Sequence, residues 1–393
     1  TLAQPAARQF PMTLYLLSVA SVVEEKEAQA ADYATSFFAM APDNIPGRKL
    51  LASIRLRQGK TEDISALLQP VLDANPDDLG ALSLMANALM LEERSNEAIT
   101  LLARIAELQP DSPLAQLRLG AGLLLTGEEN EAIASLETVL ELDPDFQQAD
   151  ILLVVNYVRQ QNYPAAIKAA ESYQQRNPGS VTPHNLLGRV YLEAGEPEKA
   201  RETFEKAIAV DAKNPAANLN LAQMAMDAKE LGKARKYYNT VLEHQPDSIT
   251  AQMGLVRLAA LEEDEPAFLA RLQQAAEAHP TALQPRLILA RYHLALKRPE
   301  QVAPLFVNLE PLQRQSPQVL QLMALAQLSS GEHAKAQITL SQLIESTPAN
   351  PGTHHLMAMA AMAAGDSEQA QQELQAALEL DQNYVPSRLV LAK

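Results

Sequence analysis

A chain of 393 residues is longer than one hydrophobic core usually grows, so several domains or an array of repeats is expected. Its 48 acidic residues against 32 basic ones give a formal net charge of -16, which argues against a nucleic-acid partner because phosphate binding needs a basic footprint. The absence of cysteine excludes disulfides, zinc–thiolate sites and thiol catalysis, and 47% hydrophobic with only 4% aromatic residues suits close-packed helices rather than a β-sandwich.

Residues 1–10 read as a linker or the end of a preceding element. MTLYLLSVASVV (12–23) has the apolar core of a signal segment but neither a basic leader nor a cleavage site, and it reads better as a helix of the array. ILLVVNYV (151–158) is too short to span a membrane and continues into polar sequence. The chain opens with Thr1 and stops inside a helical pattern, so an excerpt of a longer protein with any export signal removed is expected.

Prolines at 42, 76, 110, 144, 178, 246, 280 and 348 are spaced by 34 residues or twice that, and the register passes through Ala212, Arg314 and Gln382 without insertion. Setting this proline as position 32 gives eleven units: 11–44, 45–78, 79–112, 113–146, 147–180, 181–214, 215–248, 249–282, 283–316, 317–350 and 351–384. Residues 385–393 open the truncated first helix of a further unit. Position 7 is always Leu or Met, from Leu17 to Leu391, and position 24 is always apolar, as in Phe204, Tyr238, Leu272 and Leu340. Position 8 is Gly, Ala or Ser except at Val154 and Val256, and position 20 is Ala except at Ile64, Phe268 and Val302.

The stretch HNLLGRVYLEAGEPEKARETFEKAIAV (184–210) shows what these columns do. His184, Leu187, Gly188 and Tyr191 share one face of a first helix, and Ala200, Phe204 and Ala207 share one face of a second. Small residues at 188 and 200 let the two backbones approach closely, with Phe204 filling the adjoining space. Gly59, Gly127, Gly195, Gly331 and Gly365 fall at position 15, where the first helix must end in a left-handed residue. No phosphate-binding glycine loop is present.

A 34-residue helix–turn–helix unit in one register over 11–393 is similar to the tetratricopeptide repeat (TPR) family. The resemblance implies an all-α fold, a right-handed superhelix (α-solenoid) of antiparallel helix pairs whose first helices line a concave groove. A unit of this kind cannot bury its own apolar face, so both ends are expected to expose interfaces. In KRPEQVAPLFVNLEPLQRQSP (297–317), Pro304 falls inside a second helix and predicts a kink or a late helix start, either a tolerated irregularity or a bend between binding segments.

The resemblance places groove-facing residues at positions 2, 5, 9, 12 and 13. Position 9 supplies Arg189, Gln223, Arg257 and Arg291, with Asn185 and Asn220 alongside. Such donors suit carboxylates or sulfates on an extended ligand, or form a solvated row that Glu193 partly neutralises near Arg189. The earlier groove is apolar: Val19, Val22, Val23, Met90, Leu91, Leu124, Leu125, Val155 and Val158 would receive a hydrophobic segment. The carboxylate clamp of chaperone-binding repeats needs Lys and Asn at positions 5 and 9 and then Asn at position 6. Here Lys49 is followed by Ser53, and Asn185 by Arg189, so that receptor role is disfavoured.

No histidine sits in a nucleophile pattern, and His184 and His354 at position 4 read as packing residues. HHLMAMAAMAAG (354–365) combines His and Met as a copper site would, yet Met357 is a core position and Met359 and Met362 lie on one stripe, which favours packing. LEEDEP (261–266) reads as a solvated turn without calcium-ligand spacing. No catalytic residue, metal or cofactor is expected.

ADILLVVNYVRQQNYPAAIKAA, PHNLLGRVYLEAGEPEKARETFEKAIAVD and LQPRLILARYHLALKRPEQ also resemble the TPR lipoproteins of bacterial PEP-CTERM/exosortase systems. That resemblance implies a periplasmic protein, lipid-anchored through an N-terminal cysteine outside this stretch, that scaffolds envelope assembly or exopolysaccharide export. The expectation is a non-enzymatic scaffold for protein partners. Direct binding of an acidic polysaccharide or peptide, or service as the regulatory part of a larger enzyme, cytoplasmic location included, are the alternatives.

Overall fold

Most units open on a residue suited to start a helix, although Phe146 and Ala282 offer no capping side chain. Position 34 is the N-cap: Asn44, Asp78, Ser112, Asn214, Ser248 and Asn350 each accept a hydrogen bond from a backbone N–H two or three residues on. Proline stands at the first helical position in Pro11, Pro113, Pro215, Pro317 and Pro351, where its missing N–H has no helical partner to lose. The structure, a computed structural model, describes residues 10–391. Its α-helices are numbered α1 to α23 in chain order and follow one another as hairpins, from α1 (Pro11–Val23) and α2 (Glu27–Met40) to the single helix α23 (Val385–Leu391). No strand occurs among the described residues.

The turn inside each hairpin is made at position 15, and there every unit takes a positive φ. Five units use glycine, with φ between 69° and 85°, while Glu25, Glu93, Gln161, Lys229, Glu263 and Lys297 adopt φ of 57° to 59° with a full side chain. An L-residue in that region is disfavoured by about 1–2 kcal/mol. Lys229→Gly and Glu263→Gly are therefore expected to raise stability by about 0.5–1 kcal/mol each, after the greater unfolded-state freedom of glycine is subtracted. Urea melts of the two variants check this; a loss of stability would contradict it.

Within hairpins the small columns meet the large one. In α7 (Pro113–Thr126) a Cβ added to Gly120 would lie 3.0 Å from Leu136 Cγ and 3.4 Å from the Ala132 carbonyl oxygen, both on α8 (Glu129–Leu142). Gly120, Ala132 and Leu136 occupy positions 8, 20 and 24. The side-chain volume missing at position 8 is thus filled by the residue at position 24. Ala98, Ala166, Ala200, Ala234 and Ala336 at position 20 are likewise fully buried, as are Ala86, Ala222 and Ala324 at position 8.

Position 4 is polar and buried through five successive units: Asp150, His184, Asn218, Gln252 and Arg286. Most of these side chains serve backbone carbonyls around the turn that precedes their helix. His184 Nδ1–H donates to Ser180 O (2.9 Å), Asn218 Nδ2 to Ala212 O (3.0 Å) and Asn214 O (2.8 Å), and Gln252 Nε2 to Pro246 O (2.8 Å). His184 is thus a backbone anchor as well as a packing residue. Asp150 instead pairs with Arg176, which itself donates to Pro144 O (2.9 Å); burial pushes the Asp150 carboxyl up while Arg176 pulls it back.

The chain divides into two compact units, Thr1–Thr203 and Phe204–Lys393. The second holds the one departure from the hairpin pattern among the described residues. After α17 (Leu283–Ala295) the chain runs through short 3₁₀ turns at Pro299–Gln301 and Ala303–Phe306 and a single turn, α18 (Pro311–Arg314). This corrects the expected kink or late start: Pro304 and Pro311 leave no continuous second helix at all, because each removes a donor and crowds the preceding turn. Val302, Phe306 and Leu309 remain buried against α17 and α19 (Pro317–Ser329), so the core is filled without the helix.

Candidate functional site

The first helices of the first unit carry an apolar strip. Leu91 (61% exposed) on α5 (Leu79–Leu91), Leu125 (69%) on α7 and Val155 (51%) on α9 (Gln147–Arg159) face solvent, with Val23 exposed at the end of α1. Val19, Val22, Met90, Leu124 and Val158 lie half-buried beside them. The strip is crossed by Arg159, which donates to Leu124 O (3.3 Å) and pairs with Glu129 (3.0 Å). Lys49 is engaged as well: its Nζ lies 2.9 Å from one Asp78 oxygen and 3.1 Å from the other. Burial pushes the Asp78 carboxyl up, but the Ala81 N–H and the Lys49 ammonium outweigh it and hold the group below its ordinary value. Lys49 is therefore committed to an internal partner. Asn185 is half-buried in α11 (Val181–Glu193), and Arg189 is exposed and makes no ion pair with Glu193.

The second unit brings two of the predicted polar residues together. Arg257 on α15 (Ile249–Leu261) donates through Nη2 to Gln223 Oε1 on α13 (Pro215–Asp227) at 2.8 Å, and Gln223 Nε2 donates to Asp227 Oδ1 at 2.8 Å. Arg257 Nη2 also lies 3.4 Å from the Tyr238 hydroxyl on α14 (Leu231–His244). Burial pushes the Tyr238 phenol up, and Arg257 pulls it back. Arg291 on α17 is exposed and has no acidic partner among the described residues. Asn220 is turned onto its own helix, its Nδ2 donating to Ala216 O (2.9 Å).

Tyr238 and Asp227 were not among the predicted site residues. Tyr238 stands at position 24, otherwise a packing column, and is 2% exposed. Its ring lies against Gly254, where an added Cβ would be 2.3 Å from the ring carbon that bears the hydroxyl. Gly254 is at position 6, which is Leu in most units. That local exchange of a large residue for none lets a core tyrosine carry its hydroxyl through to Arg257. The available signal was the pairing of an aromatic at position 24 with a glycine at position 6 of the next unit.

The remaining motifs are absorbed into local structure. In LEEDEP, Asp264 accepts from Ala267 N (3.0 Å), Glu262 pairs with Arg235 and Glu265 accepts from the Tyr292 hydroxyl. In the His/Met stretch, His354 Nδ1 meets Glu373 (2.7 Å), His355 Nδ1 meets Ser387 (3.1 Å), and Met357 is buried. Burial holds the His355 imidazole below its ordinary value. Among the described residues no group of three or more His, Asp and Glu is placed to hold a metal, and no helix is long and apolar enough to cross a membrane.

A tetratricopeptide repeat family profile matches residues 55–120, 123–190, 158–214, 191–258 and 327–393. No curated protein matches the chain. Among solved structures, the chain is similar to a MamA from Desulfovibrio magneticus RS-1 (23% identity over 44% of this chain and 97% of that one, TM-score 0.39). It is also similar to a tetratricopeptide repeat protein from Parabacteroides merdae (14% identity, 64% and 98%, TM-score 0.45) and to pilF of Pseudomonas aeruginosa (20% identity, 54% and 97%, TM-score 0.41). The profile covers more than half of the chain in the same register that spaces its hairpins, so this chain belongs to the tetratricopeptide repeat family and is a protein-interaction scaffold.

Proposed function

We propose that this chain is a non-catalytic periplasmic scaffold, lipid-anchored through a segment outside this stretch, that gathers protein partners of envelope assembly or of exopolysaccharide and PEP-CTERM protein export. The observation that carries the partner-binding role is the exposed strip of Leu91, Leu125 and Val155, since large apolar side chains grouped in this way mark interaction surfaces. The envelope setting draws its support from the quoted stretches similar to the PEP-CTERM-associated lipoproteins. An apolar segment laid along the first helices would bury these side chains as a helix-in-groove or extended contact. Affinity capture from the native envelope is expected to return export or envelope proteins with the natural chain, and at least tenfold less of them with Leu91→Glu/Leu125→Glu. Equal recovery by both, or no envelope protein with either, would overturn the reading.

A second reading, an acidic polysaccharide bound along Arg189, Gln223, Arg257 and Arg291, is favoured by the exposure of Arg189 and Arg291 without acidic partners among the described residues. Uronic-acid oligomers titrated against the natural chain and Arg257→Ala/Arg291→Ala distinguish it from the first. Binding that the double variant loses supports it, and equal or absent binding in both removes it.

A further inference from the structure

The missing second helix of residues 283–316 leaves a cleft inside the second unit, between α16 (Glu265–Ala278), α17 and the 3₁₀ segment. It holds about 360 Å³, within the range of small-molecule sites. Ala276, Leu289, Pro304 and Leu305 give it an apolar wall, and Arg286 closes one side.

Arg286 is only 6% exposed. Its Nη1 donates to His279 O (2.7 Å) and Ala282 O (2.8 Å), and its Nη2 to Ala276 O (2.6 Å). These carbonyls lie at and just beyond the end of α16 and fix the plane of the guanidinium, but they offer partial charges only. A guanidinium has five N–H donors. The Nε–H and one Nη2–H make no hydrogen bond, and no carboxylate pairs with the group among the described residues. Burial lowers the Arg286 pKa with no acidic neighbour opposing it. The cleft is therefore lined by a buried cation that has donors to spare and makes no ion pair among the described residues, an arrangement that favours a bound anion.

We propose that this cleft binds a small aliphatic monocarboxylate, its carboxylate on the donors of Arg286 that the carbonyls leave unused and its chain against Ala276, Leu289 and Leu305. One cation calls for one negative charge, and Glu277 at the rim opposes a second. The amides of Gln273 and Asn308, also lining the cleft, can hold the carboxylate's outer lone pairs. This site is independent of the partner-binding strip, so its failure leaves the scaffold reading untouched.

The test is calorimetric titration of the full chain with acetate, butyrate and hexanoate, using butyramide and succinate as controls. Two variants accompany it. Arg286→Gln places at this position the residue that Gln252 already provides one unit earlier, where it satisfies the turn carbonyl through Nε2. Leu305→Trp fills the cleft while Arg286 stays in place. Saturable binding of butyrate is expected, at least tenfold tighter than butyramide or succinate and at least tenfold weaker in either variant. The absence of saturable binding for all three acids, equal affinity for butyramide, or unchanged affinity in a folded Arg286→Gln or Leu305→Trp chain would overturn the assignment. If Arg286→Gln fails to fold, Leu305→Trp alone decides.

Discussion

Gly254→Ala is expected to destabilise the second unit by about 1–3 kcal/mol, although alanine is the better helix former by about 1 kcal/mol. The new methyl would lie 2.3 Å from Cζ and 2.4 Å from Cε1 of Tyr238. The ring has little room to retreat, because it belongs to a core cluster with Ala222, Ala234, Val241 and Leu255, all buried. Tyr238→Leu, which restores the side chain that most units carry at position 24, is expected to rescue the variant. A double-mutant cycle by urea denaturation should then show a coupling of about 0.5–3 kcal/mol. Additive effects would show that ring and glycine do not compete for the same space.

Two leucines of neighbouring helices should separate stability from binding. Leu136→Ala removes a fully buried side chain that fills the space above Gly120, and a loss of about 2–5 kcal/mol is expected. Leu125→Ser alters a side chain that is mostly in solvent, and its effect on stability should stay within about 0.5 kcal/mol. In an array whose hairpins touch only their neighbours, the damage of Leu136→Ala should concentrate near α7 and α8. Hydrogen exchange would report this as lost protection there, with the distant helices of the chain unchanged. A uniform loss throughout would contradict nearest-neighbour cohesion.

The hairpin register was legible because two constraints recur at fixed spacing. Proline at position 32, present in eight of the eleven units, follows the end of the second helix and blocks its continuation, and position 7 is Leu or Met throughout. Glycine at position 15 announced the left-handed turn in five units. Glu25, Lys229 and their counterparts adopt it too, although nothing in a glutamate or lysine signals that conformation outside the aligned column. Pro304 marked where the second helix fails. It could not show that 3₁₀ turns would keep Val302 and Phe306 in the core. Arg257 and Leu125 stand on exposed surface. The hydrogen bonds of Arg257 were not readable, because Tyr238 reaches it only through space that Gly254, distant in sequence from the tyrosine, leaves open.

The buried polar side chains at position 4 fasten the turns before five successive units. Asn218 and Gln252 both donate to the carbonyl at position 32, and Asn218 and Arg286 both donate to the one at position 34, so side chains of different length serve the same turn. Leaving such a turn carbonyl shut away from water would cost about 1–3 kcal/mol, so at these joints the link between one hairpin and the next is held by a polar fastening as well as by greasy contact.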